Sequence, residues 1–251
     1  MKKKHRFTES TGKKDKSILV PQREKVTFDL YIRERDDLTE KQKVIIETML
    51  DKQTKCVFID GYWGTSKSFL SVLSSLKLLN NKKIDGILYV RNLVEASRLG
   101  EVGVLPGSLE ERTAPYNAIL YEKLDEMLPK EQVKALIKDG RIECVPLSFV
   151  RGRSWNCKAI IVDEAASMSF DDLLLILSRC GPYTKIFVIG DSANQNDIGN
   201  QSGFRKMFET FDDLESKENG VFAFELRDSK DIIRSGFVRF LMEKTGIIKR
   251  F

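Results

Sequence analysis

The sequence predicts an α/β domain built on one mainly parallel β-sheet with helices on both faces. Two observations carry this. Six short, continuous apolar runs of strand length alternate with segments of helical periodicity, the pattern of strands buried on both sides. The 251 residues are 41% hydrophobic and 31% charged, which supports a sizeable core and excludes a collagen-like, low-complexity or wholly disordered chain. No internal repeat and no Pro- or Ser-rich linker interrupts residues 20–251. One domain over 21–251 is therefore expected, preceded by a tail over 1–20.

Seven basic and two acidic residues among the first 16 account for the whole net charge of +5. The tail is polar and aperiodic, so disorder is expected. It would lend non-specific affinity for nucleic acid, or be a solubilising extension or an expression scar. MKKKHRFTES lacks an apolar stretch after its charges, and no run of 18 apolar residues exists. Neither a secretory signal nor a membrane span is read, and the expected location is the cytoplasm, without a membrane partner.

Along the chain, residues 21–31 contain a short strand-like stretch. Residues 39–52 read as an amphipathic helix with Val44, Ile45, Met49 and Leu50 inward, Thr39 as N-cap and Leu38 as its hydrophobic staple. Strands are expected at Cys56–Asp60, Gly86–Val90, Ile142–Phe149, Ala159–Val162, Lys185–Gly190 and Val221–Leu226. Helices are expected at Lys67–Leu79, Leu109–Met127, Glu131–Lys138, Asp171–Ser178, Ser202–Phe211 and Lys230–Lys244. Cys56, Cys144, Cys157 and Cys180 form no C-x-x-C pair, and the single histidine, His5, lies in the tail. That argues against a zinc site, a disulfide framework and histidine acid–base chemistry.

Between the first central strand and its helix runs Gly61-Tyr62-Trp63-Gly64-Thr65-Ser66-Lys67-Ser68. A strand, a glycine-bearing loop, then Lys and Ser opening a helix is the context of a P-loop. Backbone N–H groups of Gly61, Gly64, Thr65 and Ser66 and the helix dipole would cradle phosphates. Lys67 would reach the β- and γ-phosphates, and Ser68 would hold Mg²⁺ through its hydroxyl. The usual glycine before the lysine is Ser66, which is expected to narrow the loop or weaken binding. A strand–turn–helix junction with a chance lysine is the plainer alternative.

About a hundred residues later, Ile160-Ile161-Val162 ends in Asp163-Glu164. At the carboxyl end of a parallel strand these acids would face the ligand crevice. Asp163 would hold Mg²⁺ and Glu164 would orient or deprotonate the attacking water. The alternative is that the pair N-caps the next helix. A third strand ends at Gly190–Asp191, with Gln195 beyond, where polar groups would sense the γ-phosphate or merely form a turn.

Taken together these residues resemble the PhoH family, ATP-binding proteins related to superfamily 1 helicase cores. The resemblance runs from about Leu38 to Arg239. It rests on Leu105-Pro106-Gly107 with Glu110, Glu111, Pro115 and Tyr116; Arg151-Gly152-Arg153-Ser154; Asp163-Glu164-Ala165; Gly190–Asp191, Gln195 and Ser202–Gly203; and Asp231-Ile232-Ile233-Arg234-Ser235. It implies a single RecA-like P-loop NTPase domain binding ATP and Mg²⁺, and a helicase-related ATPase acting on or near single-stranded nucleic acid, RNA favoured. It implies that Gln42 recognises adenine, although Thr39-Glu40-Lys41-Gln42 is also a capping box and one rotamer hardly serves both. Arg91 matches an arginine that follows the second strand. Arg151 and Arg153 would touch nucleic acid or a neighbouring subunit, or form a solvated basic turn. Arg234 would contact the γ-phosphate of its own or a neighbouring subunit, or be a surface charge. The chain departs from the family at Ser66 and at Ala166, which replaces a glutamine linking hydrolysis to nucleic acid.

The expected chemistry is attack of water on the γ-phosphate, with Lys67, Glu164, Gln195 and Arg234 catalytic. One core domain cannot enclose ATP between two linked motors, so a homo-oligomer, such as a ring, is expected. A nucleotide-dependent switch with little hydrolysis and a small-molecule kinase are the alternatives.

Overall fold

The computed structural model describes residues 26–92, 109–194 and 198–248, apart from the side chains of 109–116. The predicted tail, the Leu105-Pro106-Gly107 segment and Gln195 lie outside the described residues. The elements are α1 (Glu40–Leu50), β1 (Cys56–Gly61), α2 (Lys67–Asn80), β2 (Gly86–Arg91), α3 (Leu109–Met127), α4 (Lys130–Lys138), β3 (Ile142–Pro146), β4 (Lys158–Asp163), α5 (Phe170–Leu177), β5 (Lys185–Gly190), α6 (Phe204–Thr210), α7 (Leu214–Glu218), β6 (Val221–Leu226) and α8 (Gly236–Lys244).

The six strands form one all-parallel sheet in the order β3-β2-β4-β5-β1-β6. Successive side chains alternate between its faces. Val57, Ile59, Ile87, Ile161 and Phe187 pack under α1 to α4. Phe58, Leu88, Ile160, Val162 and Val188 pack under α5 and α6. Both faces are covered, so the inner strands read as unbroken apolar runs rather than as alternation. Burying each such side chain contributes about 1.5–3 kcal/mol. Because all strands run the same way, their carboxyl ends share one edge. The order β4-β5-β1 sets the ends of three of them side by side there.

Four expectations need correction. Residues 26–33 bend at 27 and 28 and join no strand ladder. They strap across helices instead, with Leu30 N–H on Asn80 Oδ1 (2.8 Å), Tyr31 N–H on Gln132 Oε1 (2.9 Å) and Arg33 N–H on Met127 O (2.8 Å). Val26 and Leu30 bury against the core, giving a strand-like period without strand pairing. In α1 the inward stripe is Gln42, Ile45, Ile46 and Met49, while Val44 is exposed. The expected last helix is broken: a 3-10 turn at Ser229–Asp231 precedes α8, whose N-cap Ser235 accepts Val238 N–H at 3.2 Å. The third strand stops at Pro146 and continues as a 3-10 turn, Leu147–Phe149. The short helix α7, begun by the Asp213 cap, has no counterpart among the helices expected from periodicity.

Candidate functional site

β1 delivers the chain into the Gly61–Ser68 loop. Gly61 is packed so closely that a Cβ there would lie 2.7 Å from Leu226 O, and Tyr62 N–H binds that carbonyl at 3.1 Å. Gly64 takes φ +79° and Ser66 φ +64°. Ser66 thus adopts the left-handed conformation that glycine supplies freely, at a cost of about 1 kcal/mol. Thr65 is buried and its hydroxyl donates to Tyr62 O at 2.6 Å. Lys67 opens α2, and its ammonium donates to Gly61 O (2.6 Å) and Tyr62 O (2.8 Å). Burial pulls its pKa down to about 8, against the opposing pull of Asp191, Asp163 and Asp60. The N-cap of α2, Ser66, makes no side-chain cap bond, which leaves the first N–H groups of the helix to an incoming anion.

Two strands away in the sheet, β4 ends at Asp163. Its carboxylate accepts from Ser68 Oγ at 3.3 and 3.4 Å, from the Tyr89 hydroxyl and from Glu164 N–H at 2.9 Å. The Tyr89 pKa is held well above its usual value by burial and by the Asp163 charge. Glu164 sits at φ +54° and forms an ion pair with Arg91. Strand register explains that pairing, because Arg91 of β2 lies opposite Asp163 of β4. Glu164 is the N-cap residue of the 3-10 turn Ala165–Ser167 but makes no side-chain cap bond there, and α5 starts from a separate capping box, Ser169 with Asp172.

The third strand end is also acidic. Asp191 is fully buried and accepts the N–H groups of Ala193 (3.1 Å) and Asn194 (3.2 Å). Arg234 lies against the loop of its own chain: a Cβ on Gly64 would stand 3.4 Å from Arg234 Cβ, and Ile233 N–H binds Gly64 O at 3.2 Å. Gln42 is fully buried and forms the capping box with Thr39. Its amide also donates to Thr65 O (3.2 Å) and Asp231 O (3.0 Å). Arg151 and Arg153 stand apart from the loop. Arg153 pairs with Glu143 at 2.7 Å, and Arg151 lines a separate cavity of about 450 Å³ with Asn92, Ser148 and Asp172.

Lys67, Ser68, Asp163, Glu164, Arg91 and Arg234 line one cavity of about 470 Å³. Sequence reasoning missed two of its supports. Tyr89, inside an apolar run, carried no signal. Asp60 did carry one, since it ends an apolar strand just as Asp163 does. It is fully buried and accepts from Ser192 N–H (3.0 Å), Ser192 Oγ (2.6 Å), Arg227 (2.7 Å) and Arg205 (3.1 Å). Burial raises the Asp60 pKa, but the Ser192 and Arg227 bonds outweigh it and the net shift is downward. Asp60 thereby ties the loop strand to the segment after Asp191.

A phosphate-loop sequence between β1 and α2, with the acid-ended strand β4 separated from β1 by β5, defines a RecA-like P-loop α/β fold. The model of the PhoH-like protein family matches residues 36–245, and the chain belongs to that family. It is 31% identical over 225 residues to a PhoH-like protein of Mycobacterium bovis, covering 88% of this chain and 61% of that one. With PhoH-like proteins of Synechocystis and Bacillus subtilis it shares 33% over 188 residues and 32% over 194. Those alignments cover 74% and 76% of this chain, and 55% and 58% of theirs. The chain thus spans a little over half the length of these relatives. Among solved structures, a large terminase from a thermophilic bacteriophage, in complex with ADP, aligns at TM-score 0.44 and 10% identity, covering 82% of this chain and 50% of that one. No helix among the described residues is long and apolar enough to cross a membrane.

Proposed function

We propose that this chain binds Mg-ATP at the β1–α2 loop and hydrolyses it on or near single-stranded nucleic acid, RNA favoured, within one nucleotide-binding unit over 21–251. The observation that carries the reading is the convergence of Lys67, Ser68, Asp163 and Glu164 at the carboxyl ends of β1 and β4, on either side of β5. Ser68 Oγ and the Asp163 carboxylate, 3.3 Å apart, are hard oxygen donors suited to Mg²⁺, which would neutralise phosphate charge when bound. Lys67 exchanges its loop carbonyls for phosphate oxygens. Glu164 takes a proton from water as its oxygen attacks the γ-phosphorus, the bond to the bridging oxygen breaks, and ADP and phosphate result. Arg234, placed beside its own loop, would stabilise charge on the γ-phosphate in cis, and Gln195 would orient the water. Arg151 and the exposed Phe149 supply a cation and an aromatic face for nucleic acid.

A switch that binds ATP but turns it over slowly is the second reading. It draws on the Arg91–Glu164 ion pair, which occupies the proposed base, and on Ser66 and Ala166. Steady-state ATP hydrolysis with Mg²⁺, with and without single-stranded RNA and DNA, separates the two. Turnover that rises with polymer and vanishes in Lys67→Ala and Glu164→Gln supports the coupled ATPase; binding at background turnover supports the switch. A homo-oligomer belongs to the first reading, and a monomer by mass under every nucleotide condition would count against it.

A further inference from the structure

The cavity over the loop extends beyond the phosphate-binding residues. Its wall continues through Trp63, Phe69 and Arg35. Trp63 is 43% exposed, although so large an apolar side chain is stabilised by burial. The Arg35 guanidinium lies over the Phe69 ring, 5.5 Å from its centroid. Asp37 fixes it there through bonds of 2.8 and 2.6 Å. These are flat surfaces suited to a planar aromatic ligand, and stacking of this kind is tolerant of base identity.

Gln42 cannot read a base from where it stands. Both hydrogens of its amide nitrogen go to main-chain carbonyls, Thr65 O and Asp231 O, and its oxygen accepts Thr39 N–H at 3.0 Å. It is a positioning residue that ties α1, the loop and the 228–231 turn together. Among the described residues, the other polar side chains at this end of the wall are Lys123 and Glu126, an ammonium that only donates and a carboxylate that only accepts rather than one paired donor–acceptor edge. Strong discrimination between bases needs such an edge.

We propose that Trp63 is the base-stacking residue of the nucleotide site, and that the site takes purine nucleoside triphosphates without selecting adenine over guanine. This rests on the reading that the loop binds a nucleoside triphosphate. Titration with Mg²⁺ and ATP, GTP or inorganic tripolyphosphate, followed by calorimetry and indole fluorescence, tests it. The second tryptophan, Trp155, is buried and gives a constant background. ATP and GTP are expected to bind within about threefold of each other, and both to quench Trp63, as stacking permits. Trp63→Ala should weaken both nucleotides about tenfold and leave tripolyphosphate unchanged. Trp63→Phe should keep the affinity and lose the quench. A preference for ATP of about twentyfold or more, or unchanged nucleotide affinity in Trp63→Ala, overturns the inference while the triphosphate reading stands. Failure of tripolyphosphate and both nucleotides alike overturns that reading and the inference with it.

Discussion

Two lysines sit at opposite ends of the sheet. Lys67 follows the carboxyl end of β1, and Lys185 begins β5 at the amino end. Burial pulls both pKa values down to about 8. Each ammonium donates to two main-chain carbonyls, those of Gly61 and Tyr62 for Lys67 and those of Asp51 and Thr54 for Lys185. Their surroundings then diverge. Lys67 faces three carboxylates, Asp191, Asp163 and Asp60, whereas Lys185 feels Asp51. Lys185 borders a larger cavity, about 780 Å³, floored by Leu50, Leu78, Ile84 and Leu177. A perturbed lysine therefore does not by itself mark a site. What separates the two is the convergence of acids, hydroxyl and left-handed loop backbone around Lys67.

Substitution at both positions tests this contrast most severely. Lys67→Ala should lower ATP turnover by about a hundredfold or more, the scale of losing one aimed cationic or oxyanion donor, with little change in the unfolding midpoint, because Tyr62 O keeps the Thr65 hydroxyl and the removed charge was desolvated. Lys185→Met should do the reverse. The buried Thr54 carbonyl and the Asp51 carbonyl lose their donor, a loss partly offset by removing a desolvated charge, and urea unfolding should report about 1 kcal/mol less stability, while turnover per folded molecule is unchanged. Equal effects of the two variants on turnover would erase the distinction.

A smaller effect is expected at Ser66. Ser66→Gly relieves the positive φ and should stabilise the fold by about 1 kcal/mol in urea denaturation, with tighter nucleotide binding. A destabilised Ser66→Gly would mean that the serine hydroxyl or chain stiffness outweighs the backbone strain.

The smallest effects are in protons. Unfolded lysine titrates near 10.5 and these two near 8. Below about pH 8 both states are protonated and the folded state carries the full desolvation cost. Between about 8 and 10.5 the unfolded chain holds more protons, so stability should rise with pH. Lys185→Met should flatten that slope. Phosphate binding restores the charge on Lys67, so calorimetry at pH 8 in buffers of different ionisation enthalpy should show uptake of about half a proton per nucleotide. Lys67→Ala should abolish the uptake and Lys185→Met should not.

Much of this molecule is written locally. Lys185–Gly190 is a strand over the residues that its apolar run marks, because a strand covered on both faces has to be apolar throughout; the run Val221–Leu226 also marks its strand, a half-buried one at the sheet edge. The loop from Gly61 to Ser68 and the pair Asp163–Glu164 are equally legible, since each is contiguous and its residue types answer to one chemistry. Thr39 and Gln42 announce the start of α1 for the same reason. Val44 is where periodicity misleads, because the apolar residues on either side of Ile45 cannot be ranked by spacing alone.

Other features depend on which elements become neighbours. Whether residues 26–33 pair as a strand or strap over helices depends on Asn80, Gln132 and Met127, all far away in the chain. Tyr89 meets Asp163 across 74 residues, and Ser192 meets Asp60 across 132. Arg91 reaches Glu164 only through the β2–β4 register. Periodicity, caps and loop chemistry act over a few residues, so the class of fold, the phosphate loop and the acid-ended strands can be read from the chain alone. Three outcomes cannot: Gln42 is held by three backbone groups, Trp63 is left exposed, and Lys67 and Lys185 differ. Those follow from strand order and register, where contact energies between distant segments outweigh any local preference.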